Sequence, residues 1–513
     1  MKKISKTQWN RYKDTDGKEI IELFEKSVDN DFSYKDMLNL AMRFDPDYFN
    51  NTTEKERKNI IEGFEFYDQL IADNIPTEED LKNIETYSNF YLDLISYMSQ
   101  PDLENPQPIE KLSETAFKLP LTDNLLMSIL LHAYMPKVFF PNFFVMQFIY
   151  LKKIASKYDI ELPEVPPRTK YFDRCMYYVK LCNILCEFAN ENKLTHAEMC
   201  AFLYDYEIKL IKEEMEAETA SCQQLPRPLQ AWFLVGTYRE GERNMTRGFW
   251  QGNSETKKGD VLVFYEKSPV KSINSVWRAQ EAGVIDPFFL YYSNTYIGNK
   301  QEIPPISLEE LRNDTYFKNH KLVHKQFQGG SGWALNAEDY KQLKRILKKK
   351  DFDISLLPEL MAHEAPKNID YSEKESAVHK YQVIPLLNSM GWTEENGEIL
   401  NQVTLHLGHG EFSKRGRTDV SLHPFGTGLK KARVVIEEKY WMENEIQIEE
   451  TFIQGASYAN LQKANVLVLC DKYQIIVYPI GCDNDFHSHQ RIIFYWDEIS
   501  HPDKFNELKK LLA

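Results

Sequence analysis

The chain lacks the features that define several protein classes. Its seven cysteines are an odd number and include no Cys-x-x-Cys pair, which disfavours a disulfide framework and indicates a reducing, cytoplasmic compartment. The N-terminal residues Met1 to Ser5 contain no apolar signal run. There is no GxxxxGK[ST] phosphate-binding loop, so we expect no ATP requirement in this chain. Internal repeats and low-complexity tracts are also missing.

Long uninterrupted apolar runs are missing as well. The most apolar stretch, residues 125–151, contains Pro136, Lys137, Pro141 and Asn142. The two prolines and the asparagine interrupt a helix, and the lysine is charged. Together they predict a buried helical pair rather than a membrane span. We therefore expect no contact with a membrane.

The chain has no excess of positive charge. Its net charge is −15, whereas nucleic-acid enzymes are more often basic. Binding depends on the local field rather than on the total. One C-terminal segment is locally basic, with Lys414, Arg415, Arg417, Lys430, Lys431 and Arg433.

The changing pattern of apolar residues along the sequence predicts several domains. Residues 1–224 have apolar positions at helical spacing, which indicates an all-α domain for scaffolding or dimerisation. Short strands are predicted at 231–235, 261–265, 272–279 and 288–292, followed by a helix at 336–348. Residues 349–370 contain prolines and indicate a linker, and residues 371–513 have the alternation of an α/β unit.

Three residues near the C-terminus form a pattern with chemical meaning. Asp419 is followed by Glu437 and Lys439 on a predicted apolar strand. Residues i and i+2 of a strand point to the same side, so Glu437 and Lys439 share a face. Two carboxylates can hold Mg²⁺ against a scissile phosphate, and a nearby lysine can orient the attacking water. The pattern indicates a metal-dependent phosphodiesterase, with Glu375 on an upstream helix as a further carboxylate.

The order of elements around these residues strengthens this interpretation. The relevant positions are Glu375, residues 385–387 and 391–392, residues 417–419, residues 437–439, and Gln454 with Tyr458. Together they resemble the PD-(D/E)XK nuclease domain, similar to that of type I restriction translocase subunits. The resemblance implies that Asp419, Glu437 and Glu375 bind Mg²⁺ or Mn²⁺. It further implies that Lys439 assists the nucleophile, and that the Gln and the Tyr support the site.

Histidines offer a competing interpretation of the same region. His406, His409, His487 and His489 could suggest zinc. They lie on different segments, and no cysteine lies close in sequence to the first pair. Solvated loops are the better explanation of these residues.

The middle region has its own set of motifs. They are the apolar strand at 232–235, the Gly-Phe-Trp of 248–250, the Gly-Asp turn into the strand of 258–265, the segment 304–311, and the glycine-rich run of 327–335. Together they resemble EVE domains, relatives of YTH domains in the PUA-like superfamily. The resemblance covers residues 229–348 and implies an α+β barrel. It also implies a pocket that holds a modified or flipped-out base.

Aromatic stacking with polar contacts at the base edge is the physics that such a pocket needs. Trp250 falls where the first cage aromatic of these families lies, and Trp277 and Trp333 are further indoles. The candidates for edge contacts are Asn253, Ser254 and Thr237. Core packing is the competing explanation for each tryptophan.

A base reader joined to a nuclease suggests a modification-dependent, type IV-like restriction endonuclease of the bacterial cytoplasm. Its partner would be DNA with modified bases, and two strand scissions would require a homodimer. Three alternatives remain open. They are an effector nuclease activated by a soluble nucleotide signal, a reader and nuclease for modified RNA, and a catalytically dead DNA-binding protein.

Overall fold

The structure is a computed structural model. It describes residues 2–28, 32–45, 54–77, 84–220, 225–238, 244–363, 369–407, 414–426 and 431–513. Within these ranges no helix combines the length and the apolar character needed to cross a membrane. The chain divides into two compact units. The first comprises Met1–Pro226 and Trp232–Trp333, and the second comprises Arg227–Ala231 and Ala334–Ala513.

Helices build the first unit as far as residue 220, as the spacing of apolar residues predicts. They are Lys6–Asp14, Gly17–Lys26, Tyr34–Phe44, Glu54–Ala72, Ile84–Met98, Lys118–Thr122, Asn124–Tyr134, Phe148–Tyr158, Tyr171–Asn192, His196–Ala201 and Glu207–Ala220. Their apolar sides form one large aromatic-rich core. The N-terminal part is therefore helical, as expected.

The apolar stretch of residues 125–151 forms a buried helical pair, which confirms the prediction. Asn124–Tyr134 and Phe148–Tyr158 are the two helices, and residues 138–144 between them are buried, whereas Lys137 is exposed. Hydrogen bonds tie the backbone of this region to the rest of the core: the Tyr178 hydroxyl donates to the Phe140 carbonyl at 2.6 Å, and the Asn142 N–H donates to the Ser128 hydroxyl at 2.8 Å. Bonds of this kind allow the segment to lie in the core.

The rest of the first unit is built on a curled sheet in which β2, β3, β4, β5 and β6 pair with their neighbours in antiparallel fashion through β2–β6, β3–β4, β4–β6 and β5–β6. Its strands are hydrogen-bonded in the order β2-β6-β4-β3-β1, and β5 pairs with β6. The strand bounds are β1 Ala231–Gly236, β2 Gly248–Gln251, β3 Val261–Glu266, β4 Ser272–Ala279, β5 Val284–Ile285, β6 Ser293–Ser307 and β7 Trp333–Leu335. Alternate residues of these strands point inward, so Leu234, Leu262 and Trp277 meet in one core.

The strand predicted at residues 288–292 is wrong. These residues form a turn, closed by a hydrogen bond from the Tyr292 N–H to the Phe289 carbonyl at 2.7 Å. The buried Asp286 carboxylate accepts the N–H of Phe288 at 2.9 Å. The buried guanidinium of Arg174 donates to the carbonyls of Pro287 and Phe289. Because side chains bind this backbone, it takes no part in the sheet.

The second unit has a sheet between two helical layers. The strand order is β15-β14-β13-β12-β11-β8, with β9 and β10 as a separate antiparallel pair. The bounds are β8 Ile399–Asn401, β9 Thr404–Leu407, β10 Lys414–Arg417, β11 Val420–Phe425, β12 Lys431–Glu438, β13 Val466–Cys470, β14 Gln474–Pro479 and β15 Ile492–Tyr495. The helices are Ala337–Lys349, Glu375–Val378, Ile384–Ser389, Glu445–Gln462 and Pro502–Leu512.

Strand β12 shows how the layers arise. Val434 and Ile436 pack on one side of the sheet with the helices Glu375–Val378, Ile384–Ser389 and Pro502–Leu512. Val435 packs on the other side with Glu445–Gln462. That helix connects β12 to β13, and these two strands are parallel. A helical crossover between parallel strands is the expected connection.

Several predicted boundaries differ from the structure. The strand predicted at 399–407 is divided into β8 and β9 at Gln402, which has a positive φ of 56°. Part of the predicted polar turn at 409–417 is strand β10, and residues 408–413 lie outside the described residues. The helix Ala337–Lys349 and the described residues 350–363 and 369–370 belong to the second unit. Leu357 and Leu360 in this segment are buried.

Candidate active site

The acidic residues meet at one end of the second unit's sheet. Strands β11 and β12 are antiparallel, with Val420 opposite Ile436, so Asp419 and Glu437 are neighbours across the strand ends. The N–H of Glu438 donates to the Asp419 carboxylate at 2.8 Å. The backbone of β12 therefore fixes the position of Asp419.

Lys439 follows β12 directly and connects the sheet to the upstream helix. Its Nζ donates to the Glu375 carboxylate at 3.2 Å and to the Glu438 carbonyl at 3.0 Å. Glu375 is half exposed, whereas the Lys439 side chain is one-third exposed. The lysine is held in place and still reaches solvent.

Gln454 and Tyr458 approach Glu437 from the helix Glu445–Gln462. The Gln454 amide donates to Glu437 Oε2 at 3.3 Å and lies 3.5 Å from the Tyr458 hydroxyl. The two residues are one helical turn apart, which places them on the same face. Close approach of this helix depends on Gly455, where an added Cβ would lie 3.2 Å from Glu437 Cγ.

All six residues predicted for catalysis thus lie in one region of the second unit. Each is connected by a hydrogen bond to another member or to the adjacent strand end. Their roles in catalysis stay predictions.

The local field disfavours negative charge on the acids. Burial raises the pKa of Glu437 to about 8, with further increases from Asp419 and Glu375, while Lys439 opposes them. Burial also raises the pKa of Asp419, although the hydrogen bond from the Glu438 N–H lowers it. Carboxylates that are buried close together repel each other unless a cation compensates them. This cluster is therefore poised to receive positive charge.

The pKa of Lys439 moves in the direction that keeps it charged. Burial acts to lower it, but the carboxylates of Glu375, Glu437 and Asp419 outweigh burial, and the pKa is raised. At neutral pH this lysine is an ammonium group. It can donate hydrogen bonds to a water molecule or a phosphate oxygen.

A divalent cation fits this donor set. Glu437 Oε1 is buried and has no hydrogen-bond partner among the described residues. The described side chains include no ready-made group of three His, Cys, Asp or Glu ligands. Mg²⁺ binds through one or two carboxylates and completes its shell with water and phosphate oxygens. Asp419 and Glu437 are the residues that could hold it. Glu375 lies nearby, where its carboxylate accepts a hydrogen bond from Lys439.

The sequence reasoning missed His379. Its Nδ1 lies 3.0 Å from both oxygens of Glu438, which points to the face of β12 opposite Glu437. This contact raises the pKa of His379, and burial only partly opposes it. His379 follows Glu375 by one helical turn, and this spacing is the sequence signal that places it on the same helix face as Glu375. The pair ties the helical segment to the strand that positions Glu437.

Two of the three predicted pocket tryptophans share one cluster in the first unit. Trp250 is half-buried, with ring-centroid distances of 5.9 Å to Tyr238 and 5.0 Å to Phe264. Trp277 is fully buried, and its indole N–H donates to the Ser275 hydroxyl at 3.1 Å. The Lys300 ammonium lies 5.5 Å from the rings of Tyr238 and Trp277. Tyr238 and Lys300 were missed, although Tyr238 follows the two-residue alternation of Leu234.

The other predicted pocket residues lie on loops or at a strand start. The Asn253 amide donates to the Gly332 carbonyl at 3.0 Å, and its oxygen accepts the Glu255 N–H at 2.9 Å. Ser254 is half-buried and Thr237 is exposed. Trp333 begins β7 and is half-buried. The structure therefore brings Trp250 and Trp277 together and places Asn253 in a loop contact.

The histidines considered for zinc fall in different settings. His487 lies 2.9 Å from an Asp483 oxygen, and its ring is 5.5 Å from that of His489. His409 lies outside the described residues.

Comparisons with known proteins add little to this geometry. No protein-family model matches the chain, and no curated protein matches it. The NMR structure of Rpa0253 from Rhodopseudomonas palustris is similar over 23% of this chain and 94% of that chain, with 13% sequence identity and a TM-score of 0.20. A similarity this weak supports no conclusion about fold or function.

Proposed function

We propose that this chain is a metal-dependent endodeoxyribonuclease that recognises modified bases in DNA and cleaves nearby. The observation that supports it is the grouping of Asp419, Glu437 and Lys439 at one sheet end, with Glu437 Oε1 buried and lacking a donor. Such a device would act in defence against phage whose DNA carries altered bases. The proposal includes a bacterial cytoplasmic location.

Each residue of the candidate active site takes the role that its chemistry allows. Asp419 and Glu437 would hold Mg²⁺ or Mn²⁺, with Glu375 close by. The metal would supply Lewis acidity toward the scissile phosphate. Lys439, kept charged by its acidic neighbours, orients the attacking water or stabilises negative charge on the phosphate. Gln454 restrains the Glu437 carboxylate through its 3.3 Å hydrogen bond.

Base recognition is assigned to the curled sheet of the first unit. Trp250, the half-buried indole of this cluster, offers ring surface there, and stacking contributes about 1–3 kcal/mol per base. A flipped base must offset an unpairing cost of a few kcal/mol, so it needs such a pocket. A double-strand break needs two scissions, so we propose a homodimer. The proposal assigns no ATP requirement to this chain.

The test is a cleavage assay with Mg²⁺ on matched DNA duplexes, run with and without added nucleotides and repeated on RNA of the same sequence. The substrates carry cytosine, 5-methylcytosine, 5-hydroxymethylcytosine, glucosylated cytosine or N6-methyladenine. We expect cleavage of one modified duplex, and we expect Asp419→Asn and Lys439→Ala to abolish it without loss of DNA binding. Glu450→Gln, an exposed acid on the helix Glu445–Gln462, is the matched control and should cut normally.

The outcomes separate the proposal from its alternatives. Wild-type rates in Asp419→Asn would show that the active site is misplaced. Cutting that needs a soluble nucleotide would indicate an effector nuclease. Cutting restricted to substrates with a 2′-hydroxyl would indicate RNA. Binding without any Mg²⁺-dependent cleavage would indicate a degenerate nuclease fold.

A further inference from the structure

The first unit contains a cavity that the proposed chemistry does not use. Its volume is about 270 Å³, and it lies where helices meet the outer side of β2 and β6. Seven of its thirteen lining residues are aromatic. Ligand cavities usually range from about 300 to 1,000 Å³, so this one suits a small molecule.

Strand β2 separates this cavity from the predicted base pocket. Trp250 faces the sheet's own core, as its contacts with Tyr238 and Phe264 show. Phe249 is the preceding residue, so it points to the other side and lines the cavity. The two adjacent aromatic residues therefore face different regions: Trp250 faces the core of the sheet and Phe249 faces the cavity.

The aromatic wall has a defined geometry. The Phe249 ring lies edge-on to Tyr150, with centroids 5.7 Å apart and an interplanar angle of 87°. The Phe249 and Tyr296 centroids are 4.8 Å apart, with the rings tilted by 37°. Phe249 and Tyr296 are only half-buried, although each has an aromatic neighbour. Ring surface of this kind is suited to stacking against a planar ligand.

The charged side chains among the described residues that line the cavity are all positive. Arg43, Lys212 and Arg247 line the cavity, and none of the described lining residues is Asp or Glu. Arg43 pairs with Glu19 at 3.0 Å, and that pair is exposed and therefore weak. The Lys212 ammonium lies 6.0 Å from the Tyr150 ring centroid, and Arg247 is exposed. Three cations at one cavity in a chain of net charge −15 indicate an anionic ligand.

We propose that this cavity binds a mononucleotide, with its base against Phe249 and Tyr296 and its phosphate near Arg247 and Lys212. Aromatic rings recognise the planar base, and guanidinium and ammonium groups recognise the phosphate. The site does not depend on the nuclease proposal, because it lies in the first unit and uses none of the residues assigned to cleavage.

The test is calorimetric titration of the full chain with AMP, GMP, CMP and UMP, with adenosine and inorganic phosphate as component probes. We expect at least one mononucleotide to bind more tightly than adenosine or phosphate. Arg247→Ala and Lys212→Ala should each weaken it about tenfold, because each removes a charge-assisted contact. Both side chains are exposed, so folding should be unaffected.

Lys209→Ala is the matched control. Lys209 lies on the same helix, Glu207–Ala220, but pairs with Asp205 and does not line the cavity. It should leave the affinity unchanged. The proposal is overturned if no mononucleotide binds with a dissociation constant of about 1 mM or less. It is equally overturned if Arg247→Ala and Lys212→Ala bind as tightly as the unaltered chain, or if the tightest-binding mononucleotide binds no more tightly than its own nucleoside, titrated in the same way.

Discussion

At the scale of single residues, Glu437 is the most informative side chain. Its carboxyl group is buried beside two other acids, and its pKa is raised to about 8 from an ordinary value of 4.5. The folded chain therefore binds a proton that the unfolded chain releases between these pH values. Stability falls as pH rises wherever the folded state binds more protons. Without metal, this site should lose stability as pH rises from about 4.5 to about 8.

We predict that Glu437→Gln removes much of this pH dependence. In EDTA the variant should be more stable than the unaltered chain at about pH 8 and similar to it at about pH 5, because the amide carries no charge. It should also lose the stabilisation that Mg²⁺ gives the unaltered chain. Thermal unfolding at both pH values measures this. The same pH slope in both proteins would mean that Glu437 is ionised at little cost.

Trp250 supports a second prediction at this scale. Trp250→Ala should weaken binding to the cleaved modified duplex by about 1–3 kcal/mol, the contribution of one stacked base. Binding to unmodified DNA should change little. Competition binding with matched duplexes measures both. An equal loss on both duplexes, together with a lower unfolding temperature, would assign Trp250 to the core with Trp277.

At the scale of elements, the helix Glu445–Gln462 controls the site through its closest contact with the sheet. A Cβ at Gly455 would lie 2.7 Å from Leu467 Cδ1 and 3.2 Å from Glu437 Cγ. The helix can approach β12 this closely because the position has no side chain. Gln454 reaches Glu437 from the adjacent residue.

We predict that Gly455→Ala reduces both stability and cleavage. Overpacking costs about 1–3 kcal/mol, and the better helix propensity of alanine offsets about 1 kcal/mol of it. Cleavage should fall further, since the helix and the Glu437 carboxylate move together. Ser457→Ala, an exposed change on the same helix, is the control. A Gly455→Ala variant with normal stability and activity would show that the helix has room to shift.

The sequence predicts elements well where one periodicity dominates. The helix starting at Glu375 and the apolar strand ending at Glu438 lie where expected. It fails at residues 288–292, because the buried Arg174, which lies 113 residues from Pro287 in sequence, binds that backbone together with the neighbouring Asp286. His379 was missed for a similar reason, since its partner Glu438 is on another element. Long-range polar contacts leave no periodic signal.

At the scale of the whole molecule, the domain border is where sequence and structure differ most. The sequence places a linker at 349–370 because of its prolines. In the second unit, however, the Ala337 N–H donates to the Asp503 carboxylate at 2.9 Å. The His363 ring lies 3.2 Å from the Ser389 hydroxyl, and Met361 packs against the core cluster. These contacts make residues 334–363 part of the fold that supports the candidate active site.

We predict that a fragment of residues 334–513 is more stable than one of residues 371–513. The shorter fragment lacks the hydrogen bonds to Asp503 and Ser389 and the buried side chains of Leu357 and Leu360. Each lost hydrogen bond costs about 1 kcal/mol, and each lost apolar side chain costs about 1.5–3 kcal/mol. Urea unfolding followed by circular dichroism measures the difference. Both fragments lack Arg227–Ala231, so the comparison is matched. Equal midpoints would show that residues 334–370 contribute nothing to the second unit, as the sequence predicts for a helix of the middle domain followed by a linker at 349–370.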